Sequence, residues 1–164
     1  MTQLSPPNQD LILTPLGKKG RPLREWLTTF HLASVVLDPY TNESSWVLNS
    51  AVRIMRHFSG AAVRVNFIIT CGEDDAKAFL GPLVDEFLVF ADPDRVAVKA
   101  LGLSELPAFV VMQMNGEIPA AAQGWSGKEW DKVCSTIAEL TSWSKPTVPG
   151  PHDPGPFNGT PALG

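Results

Sequence analysis

The residues best suited to covalent chemistry are the two cysteines, Cys71 and Cys134, which lie far apart in a chain of 164 residues. Their spacing matches neither the Cys-x-x-Cys pair of dithiol redox chemistry nor the close ligand pairs of zinc sites. Cys71 precedes the acidic run 73–75, and nearby negative charge disfavours the reactive thiolate. We therefore expect a partly buried, inert thiol at Cys71, a core role for Cys134, and neither a metal site nor a cofactor.

The other titratable residues indicate surface roles. His31, His57 and His152 are separated in the sequence, and none stands beside a plausible nucleophile. The acids between residues 73 and 94 face little compensating charge, so they predict a solvated acidic rim.

Charge and hydropathy exclude two classes of partner. The net charge is −4 and there is no cluster of Lys and Arg, which argues against nucleic acid because its binding depends on clustered cations. No apolar run approaches the ~20 residues of a membrane-spanning helix, so we expect no membrane insertion. The first residues have neither the basic nor the apolar region of a secretory signal, from which we expect a cytoplasmic location.

Apolar patterning predicts the elements that position these residues. A first central strand is expected over 32–37, followed by a helix that starts near Thr41 and is closed by Gly60, and by a second strand over 62–70. A strand, a helix and a strand over this length imply a parallel crossover. Further predicted elements are helices over 73–80, 93–101 and 126–143, a strand over 87–90, and a hairpin over 107–122 with a type I′ turn at Asn115-Gly116.

Composition divides the chain into an N-terminal arm over 1–19, a domain over 20–144 and an extended tail over 145–164. Six of the twenty tail residues are Pro and four are Gly, too many for a helix. Phe157 and Leu163 are isolated apolar residues in this polyproline-prone segment. Because such segments can dock as preordered strips, Phe157 and Leu163 are candidate docking residues, within the chain or on another protein.

The order of these elements resembles that of thioredoxin-like proteins, and three stretches resemble the redoxin and peroxiredoxin branch of that class. They are the entry segment Gly20-Arg-Pro-Leu23, the Asp-Pro-Asp segment 90–102 and the proline-started strand 106–111. The resemblance covers roughly residues 15–143. It implies an α/β fold in which a mixed sheet of four to five strands is flanked by helices on both faces.

In that class the catalytic cysteines lie where the first central strand passes into its helix, because helix amides stabilise a thiolate there. Here the stretch 38–46 contains no cysteine, so the resemblance implies a protein without dithiol–disulfide oxidoreductase activity. Ser44 and Ser45 cannot replace a thiol, since an alkoxide is far harder to form. The resemblance also implies a cis bond between Leu106 and Pro107, as a structural turn or as part of a surviving peptide groove.

These observations favour a redox-inactive adaptor that binds another protein at the former active-site face. The candidate binding residues are Tyr40, Thr41, Asn42, Glu43, Ser44, Ser45, Trp46, Leu106 and Pro107. Trp46 is expected to pack in the core rather than to floor a groove. Two alternatives stay open: a thiol-dependent enzyme or thiol-cofactor binder that uses Cys71, and a structural subunit of a larger assembly. The sequence leaves the oligomeric state open.

Overall fold

Three parallel strands form the centre of the structure, a computed structural model that describes residues 4–164. The strands are β1 (Ile12–Pro15), β2 (Arg21–Pro22), β3 (His31–Leu37), β4 (Val63–Ile69), β5 (Leu88–Ala91), β6 (Glu105–Leu106), β7 (Ala108–Met112), β8 (Ala120–Gln123) and β9 (Thr160–Pro161). The helices are α1 (Leu23–Trp26), α2 (Asn42–Phe58), α3 (Glu73–Leu80), α4 (Leu83–Glu86), α5 (Val96–Leu101) and α6 (Gly127–Thr141).

The main sheet has seven strands in the order β2-β1-β5-β4-β3-β7-β8, and β6 and β9 form a separate two-stranded sheet. Strands β3, β4 and β5 are mutually parallel, whereas β1, β2, β7 and β8 join in antiparallel pairs. The mixed α/β sheet is confirmed, but four to five strands was too low a number. Strands β1 and β2 have only four and two residues, and strands this short leave little periodic signal in a sequence.

Helices cover both faces of the sheet, as expected. On one face α2, α3 and α6 bury Val47, Ala76 and Trp130 in a core that includes Phe67 and Phe109 of the sheet. On the other face α1 and α5 pack against the opposite sides of the same strands. Burial on both faces explains the nearly continuous apolar sequence of β3. Among residues 4–164, no helix combines the length and the apolar character needed to cross a membrane.

Several predicted elements are confirmed. The strands expected over 32–37 and 62–70 are β3 and β4, and the helix expected over 73–80 is α3. Helix α5 starts later than the expected 93–101, because Arg95 adopts a left-handed conformation with φ of 57°. The carboxylate of Asp92 accepts backbone N–H groups from the first turn of α5 and so caps the helix there.

The hairpin of β7 and β8 is confirmed, but its predicted type I′ turn is wrong. Residues 113–119 form a longer loop in which Gly116 has a φ of 89°, while Asn115 is not in the left-handed region. The Gly116 N–H donates to the Gln113 carbonyl at 2.8 Å, and the Asn115 side chain accepts the Glu117 N–H at 3.0 Å. Local hydrogen bonds to the Asn115 side chain and the Gln113 backbone therefore replace the two-residue turn.

After α6 the chain runs back along the molecule and contacts α2. Val148 is buried in the core beside this helix. The carboxylate of Asp153 accepts hydrogen bonds from Ser50 Oγ at 2.7 Å, from Arg53 Nη2 at 2.6 Å and from the Gly150 N–H at 2.6 Å. Burial acts to raise the pKa of Asp153, but these partners outweigh it and hold the pKa below its ordinary value. Asp153 thus fixes the start of the tail on α2.

Candidate functional site

The junction between β3 and α2 is organised around a buried carboxylate, Asp38. The Asp38 N–H donates to Ser44 Oγ at 2.9 Å, and Asp38 Oδ1 accepts the Tyr40 N–H at 3.1 Å. Thr41 Oγ1 donates to the Asp38 carbonyl at 2.9 Å, so this N-cap residue makes no side-chain capping bond to α2. Both hydroxyls therefore bond to the backbone of Asp38, and among residues 4–164 neither makes a hydrogen bond to a carboxylate or an imidazole.

Asp38 forms an ion pair that sequence reasoning missed. Arg95 Nη2 lies 2.9 Å from Asp38 Oδ2, and the two side chains are 17% and 6% exposed. Arg95 Nη1 also donates to the carbonyl of Ala162 at 2.6 Å. One guanidinium thus joins the end of β3 to the C-terminal tail. The available signals were Asp38 at the end of a buried strand and Arg95 in the Asp-Pro-Asp segment.

Tyr40 projects from the junction and is 67% exposed. Its phenol donates a 2.5 Å hydrogen bond to Asp75 Oδ2 at the start of α3. This hydrogen bond, with a smaller effect of desolvation, raises the pKa of Tyr40 to about 12. The phenol consequently keeps its proton, and the bond fixes the ring on the surface.

Trp46 is also on the surface, with 56% of the residue exposed, so the expectation that it packs in the core is wrong. The buried stripe of α2 includes Val47, Ala51 and Ile54, and Trp46 falls outside it. Its indole meets the ring of Phe157 edge to face, with centroids 5.5 Å apart. The tail therefore supplies the side chain that packs against this exposed tryptophan.

Both thiols are buried. Cys71 follows β4 at 3% exposure, and burial, with smaller effects of Asp75 and Asp38, raises its pKa to about 11. Cys134 lies within α6 at 0% exposure, and burial raises its pKa to about 12. Cys71 is thus buried more completely than the partly buried position expected for it, and the core position expected for Cys134 is confirmed. A raised pKa means that each sulfur stays in the unreactive thiol form at neutral pH.

The tail crosses the molecule beside Leu106 and Pro107, whose peptide bond is cis as predicted. Phe157 and Trp125 exchange two backbone hydrogen bonds of 2.9 Å. Strand β9 then pairs antiparallel with β6, with Thr160 opposite Leu106. Beyond this pair the Ala162 N–H donates to the Ser104 carbonyl at 3.0 Å.

The structure brings most of the sequence-predicted residues to one end of the sheet. Tyr40, Thr41 and Ser44 surround Asp38, and Trp46 lies against Phe157. Asn42 and Ser45 are exposed on the first turn of α2, and Glu43 is half-buried there. Leu106 is buried and pairs with Thr160 of β9. Leu163 is 55% exposed, whereas its neighbour Ala162 is the buried apolar residue of the tail end.

Comparison with known proteins gives matches of fold only. No family model matches the sequence, and no curated protein is significantly similar to it. The hypothetical protein SMc02350 from Sinorhizobium meliloti 1021 superposes with a TM-score of 0.71 at 14% identity, over 99% of this chain and 95% of that chain.

Two further solved structures also superpose on this chain. A secreted Mycobacterium tuberculosis disulfide oxidoreductase homologous to E. coli DsbE gives a TM-score of 0.62 at 16% identity, over 80% of this chain and 97% of that chain. A mutant of PrxQ from Xylella fastidiosa gives a TM-score of 0.67 at 15% identity, over 85% of this chain and 98% of that chain. At these identities the likeness establishes the architecture and no activity. The chain has the thioredoxin-like fold.

Proposed function

We propose that this chain is a non-catalytic thioredoxin-like module that binds another protein through the face at the carboxyl end of β3. The proposal is carried by the residues at the junction between β3 and α2. Residues 38–46 contain no cysteine, and the side chains of Tyr40 and Trp46 are exposed there. We call these two residues the aromatic pair. A cytoplasmic location is part of the same proposal.

The chemistry of the junction supports a binding role over disulfide exchange. The carboxylate of Asp38 is engaged by Arg95 and by the Tyr40 N–H, so it is not available as a general base. The Ser44 hydroxyl is buried and accepts the Asp38 N–H. A hydroxyl without a base is a poor nucleophile at neutral pH. Cys71, on which the alternative thiol-dependent function would depend, is buried with a raised pKa.

The aromatic pair has the properties of an interface anchor. Tyr and Trp are the side chains most enriched at binding hot spots, since they bury a large area and keep a polar group for a hydrogen bond. Each member of the pair is already held by one neighbour, Tyr40 by Asp75 and Trp46 by Phe157. Preorganised side chains lose less conformational entropy on binding, so their exposed area contributes more fully to affinity.

A site-specific photo-crosslinker tests this proposal. With p-benzoylphenylalanine at Trp46 of the full chain, we expect irradiation in cell extract to give discrete crosslinked species that disappear when Tyr40→Ala is added. The matched control carries the same crosslinker at Trp143, an indole that is 41% exposed and bonded to the backbone of His57. Equal crosslinking at both positions, or crosslinks insensitive to Tyr40→Ala, would contradict a binding face at the aromatic pair.

A further inference from the structure

A cleft of about 850 Å³ lies at the carboxyl ends of β4 and β5, on the side of the sheet formed by β1. The two strands are adjacent and parallel, but the chain leaves β4 toward α3 on one face of the sheet and leaves β5 toward α5 on the other face. Connections that diverge in this way open a crevice between them, and open α/β sheets bind ligands in such crevices. We call this cavity the β4–β5 cleft.

The outer wall of the β4–β5 cleft is held to the rest of the molecule. It consists of the end of β1 and the loop 16–19 that follows. Thr14 of β1 pairs with Ala91 at the end of β5. A Cβ on Gly17 would stand 3.4 Å from Glu73 Oε1, so the loop lies against the start of α3. The cleft is therefore formed without a ligand, as most small-molecule sites are.

Two cations of the cleft have no partner within the protein. Lys18 and Lys19 both line the cleft from the loop 16–19 and are exposed. Within residues 4–164, neither of their side chains forms an ion pair or a hydrogen bond. Their ammonium groups are consequently free to bind an anion that enters the cleft.

Most carboxylates in the walls are already engaged. Glu73 and Asp10 form ion pairs with neighbouring cations, and Asp92 accepts two backbone N–H groups of α5. Among the described residues of the lining, the remaining acid is the exposed Asp94. A ligand therefore meets two unpaired positive charges and one negative charge, which favours a molecule with a single negative charge.

Aliphatic side chains supply an apolar surface in the same cleft. Ile12 of β1 is 52% exposed, and Val96 at the start of α5 is 55% exposed. Both are large side chains left open to solvent, so a ligand that covers them gains hydrophobic free energy. Small-molecule sites commonly combine such an apolar lining with a few polar groups that fix the orientation of the ligand.

We propose that the β4–β5 cleft binds a small organic acid. Its carboxylate lies beside Lys18 and Lys19. Its aliphatic body covers Ile12 and Val96. A carboxylate fits this cleft better than a doubly charged phosphate does, because Asp94 and the acidic first turn of α3 would repel a second negative charge. The site is separate from the aromatic pair after β3, and the proposal does not depend on the proposed function.

Titration of the full-length, ¹⁵N-labelled protein with hexanoate tests the proposal through amide chemical shifts. We expect saturable shifts at the amides of Lys18, Ala91 and Val96, whereas hexanol and hexylammonium should bind about tenfold more weakly because they lack the carboxylate. Lys18→Gln combined with Lys19→Gln should weaken hexanoate binding by about tenfold. The control is Lys128→Gln, which removes an exposed lysine of α6 and should leave the affinity unchanged.

Filling the cleft is a second test that leaves every charge in place. Gly72 lines the cleft with a φ of −73°, and a Cβ there meets nothing within 4 Å, so Gly72→Leu occupies open space at the wall. This variant should lose hexanoate binding. Gly155→Leu is the matched control, since a Cβ on Gly155 also meets nothing within 4 Å, and it should bind hexanoate normally.

Three results would overturn the organic-acid site. The first is no saturation of the shifts below about 20 mM hexanoate, which is weaker than a ligand of this size should bind. The second is equal binding of hexanoate, hexanol and hexylammonium. The third is hexanoate binding that survives both the double lysine variant and Gly72→Leu. The urea midpoint of each variant shows whether it is folded, and the double lysine variant decides the question if Gly72→Leu is not.

Discussion

Substitution of Arg95 by leucine is expected to lower the free energy of unfolding by about 3 kcal/mol, because it leaves the Asp38 carboxylate buried without its counter-charge. The same change removes the donor to the Ala162 carbonyl, so the tail end should exchange its amide protons faster. Urea denaturation monitored by tryptophan fluorescence measures the first effect. Arg95→Lys keeps the positive charge but cannot donate to Asp38 and Ala162 through two nitrogens. Its free energy of unfolding should lie between those of the leucine variant and the unchanged protein.

The control for Arg95 is an exposed ion pair between an arginine and a carboxylate. Arg21 Nε lies 3.4 Å from Glu25 Oε1, and the two side chains are 51% and 49% exposed. Arg21→Leu should change stability by less than about 1 kcal/mol, since solvent screens such pairs. Equal losses from Arg21→Leu and Arg95→Leu would contradict the assignment of Arg95 as the residue that joins β3 to the tail.

Replacement of Gly159 by alanine is expected to separate β9 from β6. The added Cβ would lie 2.7 Å from the Leu106 oxygen and 2.9 Å from Glu105 Cβ, and the first of these is a backbone atom that cannot rotate away. We expect a loss of roughly 1–3 kcal/mol in unfolding free energy, as for other overpacking substitutions, and rapid exchange of the Ala162 amide. Thermal denaturation and hydrogen exchange by mass spectrometry measure the two effects.

Gly155 provides the control for the Gly159 variant because it lies in the same segment and a Cβ there meets nothing within 4 Å. Its φ is not in the left-handed region, so alanine fits its backbone. Gly155→Ala should leave both the unfolding free energy and the Ala162 exchange rate unchanged. If the two alanine variants had the same unfolding free energy and the same Ala162 exchange rate, the close approach of Gly159 to β6 would not contribute to stability.

The parts of the fold that follow from the sequence are those with a local periodic signal. Strand β3 is a nearly continuous apolar run, β4 is rich in β-branched residues, and α2 has a buried stripe at helical spacing, so both element types could be predicted. The exposed position of Trp46 follows from the same periodicity, since the indole lies outside that stripe. The expectation for Trp46 was wrong because it followed from the size of the aromatic side chain and not from its position around the helix.

The parts that could not be predicted depend on contacts between distant segments. Strands β6 and β9 have two residues each, and they pair only because the tail returns across the sheet. The ion pair of Asp38 and Arg95 joins residues separated by most of the parallel core. Neither feature leaves a pattern within a short window of sequence. The composition of the tail indicated an extended chain but not the surface on which that chain lies.

The central claim is that this thioredoxin-like fold works without a reactive thiol, and the pH profile of Cys71 alkylation tests it most directly. Peptide mapping by mass spectrometry after timed exposure of the folded, full-length protein to iodoacetamide follows Cys71 and Cys134 separately. With the pKa of Cys71 raised to about 11, the thiolate fraction at pH 7 is of the order of 10⁻⁴. We predict slow labelling whose rate rises up to a midpoint near pH 11, whereas fast labelling with a midpoint below the ordinary value of about 8.5 would contradict the account.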